Sequence, residues 1–97
     1  MNILVLRDYW CLLGEIIAED AETYTLADAS VIRRWGTTAG LGQLAFDGIR
    51  KDTILDRQPR TIVRKHNISF VMEVSDNLTR EDVATYFIKG ALDGRDN

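Results

Sequence analysis

The sequence predicts a mainly β, α+β domain: a small, strongly bent antiparallel sheet or barrel with one short inserted helix and a C-terminal helix. Three observations predict it. The 97 residues leave room for a single core, and an apolar content of 45% is ordinary for a folded globule. Short runs of β-favouring residues, separated by turn-forming clusters, fill the first third of the chain. Apolar residues at helical spacing are confined to one short stretch in the middle and one at the end. Residues 1–76 are therefore expected to form a barrel-like domain with a helix inserted at about 39–46. Residues 77–97 supply a helix packed on that domain or on a neighbouring subunit.

The elements follow in order. Ile3 to Leu6 reads as a strand that turns at Arg7-Asp8-Tyr9 into a longer apolar run, Trp10 to Ala18. Gly14 interrupts that run where a bulge or sharp bend would help a sheet curl. Glu19-Asp20-Ala21-Glu22 is a turn, Thr23 to Leu26 returns as a strand, Ala27-Asp28-Ala29-Ser30 turns again, and Val31 to Trp35 forms the next strand. In the glycine-rich loop from Gly36 to Gly42, Thr37 or Thr38 can cap a helix running from about Ala39 to Phe46 and closed by Asp47-Gly48. Residues 49–60 form a polar excursion ending at Pro59. A hairpin is expected next, Thr61 to Lys65 and Ile68 to Val74 turning at His66-Asn67, with Ile68, Phe70, Met72 and Val74 on a buried face. Thr79 with Asp82 forms a capping box for the last helix. Its apolar stripe would be Val83, Phe87, Ile88, Ala91 and Leu92, with Gly94 at its end.

Charge is segregated along the chain. Residues 1–32 hold one base against six acids, residues 33–65 eight bases against three acids, and the remainder three bases against six acids, within a net charge of -3. Such blocks can pair across strands of one subunit, dock the basic middle of one copy on the acidic part of another, or collect an anion. An acidic chain, with an isoelectric point near 5.0, argues against broad nucleic-acid coating. No basic residue precedes the first apolar run, which Arg7-Asp8 interrupts, so a signal peptide is not expected. No stretch reaches the roughly 20 apolar residues needed to span a bilayer. The single cysteine, Cys11, sits among apolar neighbours and reads as a buried thiol in a reducing, cytoplasmic compartment.

No catalytic set can be nominated. The only histidine, His66, has no Cys or His at ligand spacing, and the carboxylates fall in turns and caps, so neither a metal, a cofactor nor an enzymatic role is expected. Gly40-Leu41-Gly42-Gln43-Leu44-Ala45 matches a dinucleotide-type glycine pattern, but a meander precedes it where a parallel βαβ unit is required. A narrower expectation survives. Arg33 and Arg34, with the hydroxyls of Thr37 and Thr38 and the backbone around Gly40 and Gly42, would gather positive charge and amide donors at a helix start, an arrangement that suits a phosphate or carboxylate. The competing reading is that the glycines only permit a tight turn and that Trp35 belongs to the core.

The run Ala29-Ser30-Val31-Ile32-Arg33-Arg34-Trp35-Gly36-Thr37-Thr38-Ala39-Gly40-Leu41-Gly42-Gln43-Leu44-Ala45, with Gly48 and Thr53-Ile54-Leu55-Asp56, resembles a family of short bacteriophage and prophage proteins. The resemblance spans roughly residues 3–74. It departs at Gly48-Ile49, where that family often has Gly-Pro, and the last helix lies outside it. The layout of the first strands is also similar to small SH3-like and Sm-like barrels. The resemblance implies a non-enzymatic accessory protein in the bacterial host cell. Such a protein would act as a homo-oligomer and counter host defence by holding an anionic ligand such as a nucleotide signal. It leaves open a scaffold of the phage particle or an inhibitor that binds a host protein directly.

Overall fold

The computed structural model describes residues 1–92. Six antiparallel strands form one sheet: β1 (Asn2–Leu6), β2 (Cys11–Glu19), β3 (Thr23–Arg34), β4 (Ile54–Arg57), β5 (Thr61–Arg64) and β6 (Ile68–Glu73). Helices α1 (Leu41–Asp47) and α2 (Arg80–Leu92) complete the fold. The strand order is β4-β3-β2-β1-β6, with β5 pairing β3 beyond the end of β4.

Alternation along β1 divides the interior in two. Ile3 and Val5 face a cluster with Cys11, Leu13, Ile32 and Leu55, which Leu44 and Ala45 of α1 and Val83 and Tyr86 of α2 cover. Leu4 points the other way, into a second cluster with Leu12, Leu26, Ala29 and Val63. Among the described residues no helix side chain belongs to this second cluster, which the strands close with Leu6, Ile16, Tyr24, Val31 and Ile68. Gly14 marks a bend in β2: a Cβ there would lie 3.2 Å from the Leu26 Cβ, and the β2–β3 register slips across it, between Leu13 and Glu15, and again between Ile16 and Ala18.

The expected turn at Ala27 to Ser30 does not form. The chain continues as one twelve-residue strand, β3, because Asp28 takes a left-handed conformation (φ 50°) that absorbs a bulge while Ala29 and Ser30 stay buried. The hairpin expected at His66-Asn67 is also replaced. A 3₁₀ turn, Lys65–Asn67, separates β5 from β6, and its two ends are pinned beside different strands: Lys65 N donates to Glu22 O, just before β3, and Arg7 N, just after β1, donates to Asn67 O. β5 therefore pairs with β3 and β6 with β1. The sheet curls strongly but is not closed into a barrel.

The polar excursion contains a strand that sequence reading missed, β4, paired with β3 through Ile32 and Leu55. On α2 the buried residues are Val83, Tyr86 and Gly90, with Phe87 partly covered. Ile88 and Leu92, expected in the apolar stripe, stand in solvent, the latter 82% exposed. The buried row is rotated because the Tyr86 hydroxyl accepts the Leu55 amide proton of β4 (3.2 Å), which draws that face of the helix onto the sheet. The capping box forms as expected, with Thr79 N donating to Asp82 Oδ2 (2.8 Å) and Asp82 N to Thr79 Oγ1 (3.2 Å). Gly94 lies outside the described residues. Among the described residues no helix is long and apolar enough to cross a membrane.

Candidate functional site

The β1–β2 turn and the loop after β3 enclose an open groove of about 740 Å³ lined by Tyr9, Cys11, Ile32, Arg33, Arg34, Trp35, Gly36, Thr37, Thr38 and Asp52. Its outer wall is Tyr9, which the turn presents at a positive φ of 71° with 89% of its surface exposed. A bulky residue held in this conformation is uncommon and marks a turn under local strain. Trp35 also lines the groove and is 44% exposed, so it is not the core residue of the competing reading. Its side chain bonds the Cys11 thiol at the groove floor, and burial outweighs that bond to push the thiol above its ordinary pKa.

Gly36 and Thr53 fix the loop. Gly36 (φ 71°) passes so close to the chain at Asp52 and Thr53 that a Cβ would lie 2.1 Å from the Thr53 N. The buried Thr53 hydroxyl donates to Trp35 O (2.7 Å) and accepts from Arg50 N (2.9 Å), tying the turn before β4 to the start of the loop.

The structure brings Arg33, Arg34, Thr37 and Thr38 to the groove and leaves Gly40 and Gly42 outside its lining. The side chains do not converge as an anion cradle. Arg33 forms a two-point bond with Asp56 of the neighbouring strand, Nε to Oδ2 at 2.8 Å and an Nη to Oδ1 at 3.0 Å. Thr37 Oγ1 donates to Gly40 O. The Gln43 side-chain oxygen accepts from both Ala39 N (2.8 Å) and Thr38 Oγ1 (3.3 Å). Neither threonine caps α1: the capping position is Gly40 (φ 88°), with no side-chain bond to the helix. In the loop before this seven-residue helix, both threonine hydroxyls and the Ala39 amide are spent on internal bonds. Gly42 is not demanded by packing either, since nothing lies within 4 Å of a Cβ built there.

Sequence reading missed the residues that shape the groove: Tyr9 and Trp35 as walls, Asp56 as the partner of Arg33, and Gln43 as the acceptor that closes the loop. Asp56 was visible as one acid in a basic stretch and as a residue of the family resemblance, but its β4 setting was hidden by the polar residues around it. The charge blocks also pair in part within the chain. Lys65 bonds Glu19, and Arg80 bonds Asp28, joining later bases to the acidic first segment. Among the described residues no group of three His, Cys, Asp or Glu side chains is placed to hold a metal ion.

Comparisons with protein-family models, with curated proteins and with solved structures find no match.

Proposed function

We propose that this chain is a non-enzymatic binding module that works by self-association. One observation carries the reading: the fold leaves several large apolar side chains exposed to water. Phe46, Ile62, Phe70, Ile88 and Leu92 are all more than half exposed, and Ile88 and Leu92 lie one turn apart on the same face of α2. Isolated exposed apolar residues are ordinary, but this number on so small a domain favours burial against another surface. The role fits the scaffold alternative raised by the resemblance to phage proteins, in the cytoplasm of a bacterial host. Native mass spectrometry and sedimentation of the purified chain test it. Oligomers that grow with concentration are expected, and a monomer at every accessible concentration overturns it.

A second reading is favoured by the groove itself. Exposed aromatic faces at Tyr9 and Trp35 beside the Arg34 guanidinium suit a small planar anion such as a nucleotide, its ring against the aromatic walls and its phosphate at Arg34. Such a ligand would serve interference with host defence. Arg34→Ala should then abolish nucleotide binding in titration calorimetry without unfolding the chain. Arg33→Ala should weaken it less, because Asp56 already holds that guanidinium. Unchanged affinity in Arg34→Ala removes this reading, and capture of a host protein in place of a nucleotide would point to the direct-inhibitor alternative.

A further inference from the structure

We infer that the outer edge of β6 is a two-fold dimer surface, on which the same strand of a second copy pairs antiparallel. The inference rests on the self-association reading and specifies its surface.

The two edges of the sheet are built differently. β6 is the last strand on its side, bonded to β1 alone. Its first five residues, Ile68-Ser69-Phe70-Val71-Met72, carry no charge and no proline. Phe70 lies opposite Val5 and Val71 opposite Leu4, so the strand shows one large apolar residue on each face of the sheet, 52% and 40% exposed. An uncharged strand edge of this kind is a template for another strand. The opposite edge is guarded. It is split into β4 and β5, four residues each, by Gln58-Pro59-Arg60, and it carries Arg57 and Arg60. Tyr86 of α2 also occupies the Leu55 amide there.

Charge selects the partner and its direction. Arg64, Lys65 and His66 precede β6, whereas Glu73 ends it and Asp76 follows. Two identical strands running antiparallel bring the basic end of each to the acidic end of the other. A parallel pairing would set like charges together. Lys65 is already bonded to Glu19, which leaves exposed Arg64 as the main cation of that end and exposed Asp76 as its counterpart. A two-fold axis perpendicular to the sheet keeps each face continuous, so centring it on Phe70 stacks the two Phe70 rings side by side on the helix-covered face.

Sedimentation equilibrium tests this on the full chain. Wild type is expected to dimerise reversibly. Phe70→Lys and Val71→Lys should each weaken dimerisation at least tenfold while circular dichroism shows the fold retained. Arg64→Asp should weaken it, and Arg64→Asp combined with Asp76→Arg should restore it. Amide hydrogen exchange needs no variant: protection of residues 68–73 must rise with protein concentration. Self-association that ignores both lysine variants, or exchange at β6 that does not respond to concentration, overturns this surface and leaves the broader reading standing. A wild-type monomer overturns both.

Discussion

Replacing Tyr86 with Phe removes the hydroxyl that joins the C-terminal helix to the sheet. The variant keeps the ring and its edge-to-face contact with Phe87, with centroids 5.1 Å apart and planes at 82°. It removes the oxygen that accepts the amide proton of Leu55, a fully buried residue of β4. A buried donor left without a partner destabilises by about 1–3 kcal/mol, more than the net worth of an ordinary exposed bond. In a domain of this size each kcal/mol lowers the melting temperature by roughly 4–8 °C, so a fall of roughly 5–20 °C is expected. Urea titrations followed by circular dichroism, at one fixed protein concentration, should show a lower midpoint with an unchanged slope. Tyr86→Ala sets the scale at about 3–5 kcal/mol, as for other large aromatic truncations. If Tyr86→Phe lies within about 0.5 kcal/mol of wild type, the hydroxyl does not serve the β4 amide and α2 is not anchored in this way.

Other perturbations probe separate features. Gly36→Ala should destabilise by about 2 kcal/mol or more, because its positive φ and the Thr53 backbone 2.1 Å from the new Cβ act together; a wild-type melting curve would contradict this. Thr79→Ala should remove about 1 kcal/mol by opening the capping box, read as a lower urea midpoint. Ser30→Ala should leave stability unchanged or raise it slightly, since the buried hydroxyl has no protein partner; a clear loss in urea would show that the oxygen is bonded. At acid pH, the amides of Glu22 and Thr23 hold the Asp20 carboxyl below its ordinary pKa. Its stabilisation is thus present above the ordinary value near ~4 and lost as pH falls through the lower folded one, so Asp20→Ala should flatten the acid limb of a stability–pH curve.

Much of the fold was legible because its signals are local. The strand β1, the bend at Gly14, the acidic turn before Thr23 and the Thr79–Asp82 capping box each rest on a few adjacent residues. What escaped depends on distant pairing. Nothing near Ala27–Ser30 distinguishes a reversal from a bulge, and only burial of Ala29 and Ser30 against the rest of the sheet decides it. Phe70 alternates correctly for a core position, yet it is exposed because β6 ends the sheet and has nothing beyond it. On α2, counting aliphatic residues favoured Ile88 and Leu92, whereas an aromatic hydroxyl with a partner on β4 fixes the buried side. Of the six residues nominated for the candidate site, Gly40 and Gly42 lie outside the groove lining, and the walls Tyr9 and Trp35 were not nominated. Arg33, Arg34, Thr37 and Thr38 do meet in one groove, but the acid that takes Arg33 comes from a strand hidden in a polar segment.

Pro59 has a consequence for how far assembly can run. A β-protein with two welcoming flanks can add copies without limit and grow into fibres, whatever its thermodynamic stability. Here the proline and its neighbouring arginines guard one flank, so a pairing confined to the other, as inferred for β6, would exhaust the means of growth. On that inference the assembly stops at a dimer, and replacing Pro59 together with Arg57 and Arg60 by small uncharged residues is expected to let it extend into a filament.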